Sequence, residues 1–358
     1  MLDRTHTPTR SRDKTTLATI AASAGVSVAT VSKVVNGRED VSAQTRALVE
    51  ELLVQHEYSP PSTRRAVTGS ALVEFLIDGD FSSYATAVVD GVVEAATGAD
   101  ASVVVGVLRD QRNGRYPSPP RSWARGLAAA GRTGVIVVTG ELTGAHVDAL
   151  AAVNLPLVVI DPLNLPRREV TSVGSTNFTG GLTATNHLLA QGHRQIAWVG
   201  GPPGSQCNQA RLHGYRAAME SAGLVPVAEH VLNSDFQYEA GRRLGAQLLA
   251  GPDRPTAVVG GCDSIALGVM EAARAQGLRV PDDLSVTGFD DTELAAMAAP
   301  PLTTIRQPLR EMGRVALRTV LRMAGGERLD SHHVELATEL VVRGSTAEFR
   351  PRRKSPGQ

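Results

Sequence analysis

The sequence predicts an N-terminal all-α helix-turn-helix unit followed by an α/β domain of two lobes, each built on a doubly wound parallel sheet. Three observations lead to this fold class. Residues 17–37 contain two short helical segments joined at a glycine. From Leu72 onward, short apolar strands alternate with amphipathic helices in two successive series. A chain of 358 residues is also long enough for two or three compact units.

The helix pair is the first element. Residues 17–24 place apolar side chains at helical spacing, and Gly25 then allows the positive φ that a tight turn needs. Ser27 can cap the next helix, and the valines of residues 28–35 are expected to pack that helix on the first one. Asn36-Gly37 tolerates the left-handed conformation, so it is expected to end the second helix.

The solvent side of the second helix carries side chains that can contact DNA. Val28 and Ala29 can make apolar contact with a thymine methyl, and Lys33, one turn on, can donate to guanine. Thr30 and Ser32 can hydrogen-bond to phosphates. A helix pair of this kind also occurs in many all-α cores, and a formal net charge of +0 gives no argument for nucleic acid. The prediction of DNA binding therefore depends on this face of the helix.

A third helix and a linker follow. The third helix opens at Ser42, and Pro60-Pro61 stops it. Residues 62–69 have helical propensity but are too few to hold a helix alone, so they predict a linker or a segment that folds on a partner. We expect a helix-turn-helix domain over residues 14–59 and a hinge helix or linker over residues 60–71.

The two series of strands and helices define the lobes. The predicted strands are 72–77, 102–107, 134–138 and 157–160 in the first series, and 195–199, 230–232, 256–260 and 284–288 in the second. The predicted lobes of the domain 72–346 are about 72–172 with 304–331, and about 173–303 with 332–346. Ligands of such sheets bind at the carboxyl ends of the strands, so the cleft between the lobes is the expected ligand site.

Composition excludes several classes of protein. Cys207 and Cys262 have neither disulfide nor metal-site spacing, which is typical of a reduced cytoplasmic protein without metal or other cofactor. The polar N-terminus has no signal-peptide pattern, and no stretch reaches about 18 uninterrupted apolar residues. We therefore expect no membrane association. Residues 1–13 and 347–358 are expected to be disordered tails.

Two other function classes can be weighed. Residues 200–204, Gly-Gly-Pro-Pro-Gly, superficially resemble a phosphate loop, but the prolines remove backbone donors and the spacing is wrong. Because no grouping of nucleophile, base and orienting residue is found, no catalytic residue is proposed and the chain is not expected to be an enzyme. A solute-binding protein of the transport kind shares two-lobe sheets, but it would need an export signal and would have no helix-turn-helix.

The order of these features resembles the lactose repressor (LacI/GalR) family of bacterial transcription regulators, from Leu17 to about Ser345. Beyond the helix pair, the segments that carry the resemblance are Gly192-His193-Arg194-Gln195-Ile196-Ala197, Arg211-Leu212-His213-Gly214-Tyr215, Asp263-Ser264-Ile265-Ala266-Leu267-Gly268, residues 280–291 and Pro301-Leu302-Thr303-Thr304-Ile305. Each is weak alone, but together in this order they are highly specific. The resemblance implies a periplasmic-binding-protein-like fold for the larger domain and a homodimer that reads a palindromic double-stranded DNA operator.

The resemblance also implies that residues 60–69 form a hinge helix in the minor groove. The apolar wedge that is usually Leu is Val67 here, and Arg64-Arg65 replaces a small residue of the family pattern. We expect shallower intercalation and a larger phosphate contribution. The residues expected to contact DNA are Thr16, Ser27, Val28, Ala29, Thr30, Ser32, Lys33, Asn36, Arg64, Arg65 and Val67.

A saccharide needs carboxylates, an arginine and an aromatic platform, because it offers many hydroxyls and weakly apolar faces. Asp78 and Tyr84 follow the first strand, and the resemblance adds positions that the family uses for effectors. The candidate effector residues are Asp78, Tyr84, Asp161, Arg211, Phe236, Cys262 and Asp290. Cys262 stands where many relatives have a polar side chain, and a thiol is a poor hydrogen-bonding group. Asp263 is interpreted as a helix cap rather than a ligand residue.

These observations predict a homodimeric, ligand-responsive DNA-binding regulator, expected to repress sugar-utilisation genes with a mono- or oligosaccharide as effector. A purine or nucleoside is the alternative effector. The carboxyl tail has no leucine heptad of the kind that ties dimers into tetramers, which favours a dimer.

Overall fold

The structure, a computed structural model, describes residues 17–35, 41–55, 70–78, 81–109, 115–116, 118–251 and 253–350. The chain divides into two compact units, residues 1–69 and residues 70–358. Within the described residues no single helix is long and apolar enough to cross a membrane; only the bent pair Leu17–Ala24 with Val28–Val34 meets the length and composition requirement.

The first unit contains the predicted helix pair and a third helix: α1 (Leu17–Ala24), α2 (Val28–Val35) and α3 (Ala43–Gln55). Gly25 has φ +63°, and α1 and α2 meet at 102°, as in a helix-turn-helix. Ser27 caps α2, since its Oγ accepts a hydrogen bond of 3.1 Å from the amide of Thr30. A small apolar core joins the helices and contains Ile20, Ala21, Val31, Val34 and Val49.

The first lobe of the larger unit is a six-stranded parallel sheet in the order β11-β5-β4-β3-β1-β2. Its strands are β1 (Ala71–Ile77), β2 (Ala101–Val107), β3 (Gly134–Val138), β4 (Leu157–Ile160), β5 (Thr171–Ser175) and β11 (His333–Leu336). Helices α4 (Ser83–Gly98) and α12 (Leu309–Ala324) cover one face, and α5 (Pro120–Ala129) and α6 (Gly144–Ala151) cover the other. The sheet is therefore doubly wound, as predicted.

The second lobe repeats this plan in the strand order β12-β10-β9-β8-β6-β7, with β12 antiparallel to β10. Its strands are β6 (Ile196–Gly200), β7 (Val231–Asn233), β8 (Ala257–Gly260), β9 (Ser285–Asp290), β10 (Thr303–Arg306) and β12 (Glu339–Val341). Helices α7 (Asn177–Ala190) and α8 (Gln206–Ser221) cover one face, and α9 (Tyr238–Leu249) and α10 (Asp263–Ala275) cover the other. The short helices Ala228–His230 and α11 (Glu293–Met297) also belong to the lobe. Residues 347–349 pack on it as well, since the Phe349 amide donates to the Gln191 carbonyl at 2.8 Å and the Ala347 amide donates to Ser285 Oγ at 3.1 Å. The prediction of a disordered tail is therefore wrong for these residues, and residues 351–358 lie outside the described residues.

The chain passes between the lobes at three crossings, residues 175–177, 306–309 and 336–339. The predicted boundaries between the lobes are wrong at these crossings. They divide β5 at residue 173, and they place most of β10 in the first lobe and β11 in the second, whereas β10 belongs to the second sheet and β11 to the first. All eight strands predicted from apolar runs are present. The missed strands, β5, β10, β11 and β12, are short and contain polar side chains, so they lack the continuous apolar run that marks a buried parallel strand.

Candidate functional site

The exposed side of α2 is the candidate DNA-reading face. Ala29 and Lys33 are exposed, whereas Thr30 and Ser32 are half-buried. Val28 is 48% exposed and lies outside the apolar core of the helices, so the expectation that it packs on α1 is wrong, and its contact with a base stays a prediction. The hydroxyls of Ser27 and Thr30 lie 2.9 Å apart, so both serve the start of the helix.

The remaining predicted DNA contacts, Thr16, Asn36, Arg64, Arg65 and Val67, lie outside the described residues.

The larger unit has a cavity of ≈ 180 Å³ between the two lobes, where the carboxyl ends of β1, β4, β8 and β9 face one another. All seven candidate effector residues line it: Asp78, Tyr84, Asp161, Arg211, Phe236, Cys262 and Asp290. They come from six separate stretches of the chain. They meet here because the carboxyl ends of parallel strands, and the helix starts that follow them, lie at one edge of each sheet.

Arg211 lies on α8, buried to 3% exposure. Helix α8 approaches α7 so closely that a Cβ on Gly181 would lie 2.1 Å from the Arg211 carbonyl oxygen, so glycine is required there. The guanidinium donates from Nε to Asn177 Oδ1 at 2.7 Å and from Nη1 to the Gly261 carbonyl at 2.7 Å. Its Cζ also stacks 3.8 Å above the Phe289 ring. The side chain is thus held rigidly by the second lobe.

Asp290 ends β9 with φ +113°, a backbone conformation that non-glycine residues rarely adopt. Its Oδ1 accepts a hydrogen bond of 2.7 Å from Gln307 Nε2 and lies 3.6 Å from Arg211 Nη1. Burial raises the pKa of this carboxyl well above its usual range, although Arg211 acts in the opposite direction. Its Oδ2 accepts no hydrogen bond from the described residues, so it is available to a ligand.

Asp161 directly follows β4 in the first lobe and also has a positive φ, +41°. Tyr84 Oη donates to its Oδ2 at 2.7 Å. Burial raises the pKa of Asp161, with Arg211 opposing, and burial together with Asp161 raises the pKa of Tyr84. Asp161 and Asp290 therefore come from opposite lobes, and Arg211 favours the charged form of both.

Asp78 differs from the other two carboxylates. Arg109 grips it bidentately, donating from Nε at 2.7 Å and from Nη2 at 2.6 Å, and the Glu141 amide adds a bond of 3.1 Å. Both oxygens are already engaged, so Asp78 stabilises the wall of the cavity. Its partner Arg109 follows β2 and was not identified from the sequence.

Phe236 and Cys262 form an apolar part of the wall. The Phe236 ring packs directly on the backbone of Gly201, where a Cβ would lie 2.3 Å from the ring. The Cys262 thiol makes only a weak contact of 3.6 Å with the Phe236 carbonyl. Cys207, one helical turn before Arg211 on α8, lines the same cavity and was not among the predicted residues. Its i, i+4 spacing from Arg211 was the signal that could have found it.

Asp263 does not line the cavity, and its interpretation as a cap of α10 is wrong in detail. Its carboxylate accepts from the amide of Thr292 at 2.7 Å and from the hydroxyls of Thr292 and Thr304 at 3.0 and 2.6 Å. It therefore ties the start of α10 to β10 and to the loop after β9. Burial raises its pKa to about 6.

The chemistry of the cavity is that of a binding site. Neutral polar side chains missed from the sequence, Ser82, Thr139, Gln237, Ser264 and Thr292, complete its lining. Within the described part of the chain, no group of three or more His, Cys, Asp or Glu side chains is arranged to hold a metal ion. A ligand with several hydroxyls and an apolar face matches what the walls present.

Comparison with known proteins identifies relatives of the chain. Residues 16–61 match the bacterial regulatory proteins, lacI family, and residues 185–346 match a periplasmic binding protein-like domain. The HTH-type transcriptional regulator DegA of Bacillus subtilis (strain 168) is 34% identical over 93% of this chain and 98% of its own length.

Two solved structures have the same fold. The transcriptional regulator CelR in complex with cellobiose superposes with a TM-score of 0.70 at 31% identity, covering 92% of this chain and 99% of its own. The lac repressor dimer bound to operator and the anti-inducer ONPF superposes with a TM-score of 0.67 at 29% identity, covering 94% and 100%.

Proposed function

Because the chain belongs to the lacI family of bacterial regulatory proteins, we propose that it is a homodimeric repressor of sugar-utilisation genes whose binding to a palindromic operator responds to a saccharide in the cleft. The observation that carries this proposal is the cavity between the lobes, in which all seven candidate effector residues meet. In this proposal the helix-turn-helix binds the operator, and the cavity binds the effector.

The walls of the cavity support a saccharide as the effector. Asp290 Oδ2 can accept from a sugar hydroxyl, and Arg211 can donate to a hydroxyl or ring oxygen. Phe236 offers a flat apolar surface on which a sugar face can stack. The related regulator CelR, whose structure contains cellobiose, agrees with this assignment.

We propose that the effector acts on DNA binding through the crossings between the lobes. Gln307 lies in the second crossing and joins Asp290 to Ser175 of the first, because Ser175 Oγ donates to Gln307 Oε1 at 2.5 Å. An effector that changes the position of Asp290 therefore acts on two of the three segments that set the angle between the lobes. We propose that this angle is passed through residues 60–69 to the two helix-turn-helix units of the dimer, so that effector and operator affinities change by one coupling factor.

The test is operator binding by the full chain. Fluorescence anisotropy with labelled DNA from the region upstream of its own gene would be measured with and without a panel of neutral mono- and disaccharides, and then with nucleosides and nucleobases. We expect sequence-preferring binding that one saccharide changes by at least about tenfold. A response to nucleosides alone would contradict the saccharide assignment, and no preference for any upstream sequence would contradict the repressor.

Asp290→Asn sharpens this test. It keeps the shape of the side chain and removes its charge, so operator binding should persist while the saccharide response is lost. Glu220→Gln, an exposed change on α8 away from the cavity, is the matched control and should respond normally. Loss of operator binding in Asp290→Asn would indicate a folding defect, which circular dichroism of the same sample would reveal.

A further inference from the structure

The cavity has more negative than positive charge. Among its described lining residues, three are carboxylates, Asp78, Asp161 and Asp290, and one is a cation, Arg211. Arg109, outside the lining, neutralises Asp78 in a bidentate pair. Arg211 is then left to balance both Asp161 and Asp290. Counted as formal charges, Asp161 and Asp290 exceed Arg211 by one before any ligand enters.

The one cation of the described lining is already partly engaged by the protein itself. An arginine grips phosphate or carboxylate through two parallel N–H groups. In Arg211, Nε is engaged by Asn177 and Nη1 by the Gly261 carbonyl, while the Phe289 ring covers one face of the guanidinium. Nη2 makes no hydrogen bond to the described residues. Nη1 keeps a second N–H and Nη2 keeps both of its own, so the guanidinium can donate to ligand oxygens, but its positive charge already lies 3.6 Å from the Asp290 carboxylate.

The other groups that face the cavity suit a neutral ligand. Gln237 and Ser264 are uncharged hydrogen-bonding side chains, and Phe236 is an apolar platform. Asp161 and Asp290 are acceptors for hydroxyl donors. Burial raises the pKa of both carboxyls, which indicates that negative charge is already unfavourable in this enclosed space.

We infer that the cleft selects an uncharged polyhydroxy ligand and rejects its phosphorylated or carboxylated counterparts. The inference rests on the proposed function of the cleft as the effector site, and it narrows the effector to unphosphorylated sugars or other neutral polyols. A phosphate or carboxylate would be desolvated beside Asp161 and Asp290, and the one cation of the described lining already lies opposite Asp290.

The chain contains a probe for this selectivity, since its only two cysteines, Cys207 and Cys262, both line the cavity. Methanethiosulfonate reagents of similar size carry a neutral hydroxyethyl, an anionic sulfonatoethyl or a cationic trimethylammonioethyl group. The cysteine thiolate attacks the sulfenyl sulfur, a mixed disulfide forms, and methanesulfinate leaves. The labelling rate on the intact protein is divided by the rate on free cysteine. This corrected rate measures whether the cavity favours or disfavours the charge of each reagent. Mass spectrometry assigns the rate to each thiol.

We expect the corrected rate of the anionic reagent to be at least roughly tenfold below that of the neutral one, and the cationic reagent not to be disfavoured. Asp290→Asn should lower the ratio of the neutral to the anionic labelling rate severalfold, so that the gap between the two reagents narrows. Glu220→Gln should leave this ratio unchanged. Equal corrected rates for anionic and neutral reagents would overturn the inference, and so would an unchanged gap in Asp290→Asn.

Calorimetry on the full chain gives the second arm, with neutral sugars beside their 6-phosphates and uronic acids. A neutral sugar that binds at least about tenfold more tightly than its charged counterparts supports the inference, and a phosphate that binds as tightly as its parent overturns it. The two proposals fail separately. If the labelling rates depend on reagent charge but no saccharide changes operator binding, the proposed effector is wrong and the charge selectivity of the cleft stands. If a saccharide changes operator binding but the corrected labelling rates are equal, the proposed function stands and the charge selectivity is wrong.

Discussion

Gln307 donates its side-chain amide to the Asp290 carboxylate at 2.7 Å, and both groups are buried. One residue belongs to a crossing between the lobes and the other to the wall of the cavity. Because the Gln307 amide also accepts from Ser175, the bond joins the ligand site to the segments about which the lobes can move. A glutamine suits this place since it donates and accepts at once.

Gln307→Leu should uncouple effector from operator. The change removes the hydrogen bond to a buried carboxylate and leaves the buried Ser175 hydroxyl without its acceptor, so we expect a loss of roughly 1–3 kcal/mol in the free energy of unfolding. Saccharide affinity, measured by calorimetry, should change less than the saccharide effect on operator affinity, measured by anisotropy. Gln276→Leu, at an exposed glutamine that ends α10, is the control and should keep the full response. Normal coupling in Gln307→Leu would show that the lobes communicate by another route.

Lys33→Ala should reduce sequence discrimination more than it reduces non-specific binding. Lys33 is the strongest donor on the exposed face of α2, and a specific base contact of this kind is worth about 1–3 kcal/mol between right and wrong bases. Competition between the operator and a scrambled duplex, at two salt concentrations, separates the two effects. Lys33→Arg keeps the donor and should retain most of the preference. Equal losses on both duplexes would assign Lys33 to phosphate contact instead.

Gly181→Ala should destabilise the second lobe and weaken ligand binding together. The added Cβ would lie 2.1 Å from the Arg211 carbonyl oxygen, so α7 and α8 must separate and Arg211 must move. We expect a loss of roughly 1–3 kcal/mol by denaturant unfolding. Gly126→Ala in α5 is the matched control, because a Cβ there meets nothing within 4 Å. It should be neutral or stabilising by up to about 1 kcal/mol. A harmless Gly181→Ala would contradict the close packing of the two helices.

The stability of the larger unit should depend on Asp263 through pH. Burial raises the pKa of Asp263 from 3.8 to about 6, so the folded state holds this proton more tightly than the unfolded state. The stabilisation of the folded state by this proton is fully present below about pH 4, and it is lost as the pH rises through about 6. The unfolding free energy of the wild type, relative to Asp263→Asn, should therefore fall between pH 4 and 7. Denaturant titrations across that range measure the difference, and a rising difference would refute the assignment.

The periodic parts of the fold were predictable from the sequence. All eight predicted strands and the helix pair were confirmed, because long apolar runs and helical spacing reflect burial directly. The four missed strands pair through their backbones while carrying polar side chains, as Thr303 and Thr304 do in β10. Their place in a sheet depends on neighbours distant in the chain, which no local pattern reveals.

The charged and aromatic residues of the cavity were predictable, whereas its neutral polar residues and its hydrogen bonds were not. Strand ends and the family resemblance identified seven residues that meet there. That Asp78 is occupied by Arg109 follows from the pairing of β1 with β2, and that Arg211 is engaged by Asn177 follows from the packing of α7 on α8. These contacts determine which groups stay available to a ligand, and only the assembled fold shows them.

The three crossings also set the order in which the protein can be made. The core of the first lobe includes Met312, Leu317 and Val320 of α12, packed with Val73 and Phe75 of β1. The whole second-lobe segment from α7 to β10 lies between these two parts of one core. During synthesis the first lobe must therefore wait, with an open apolar face, until α12 has left the ribosome, and the second lobe approaches completion before the first can close.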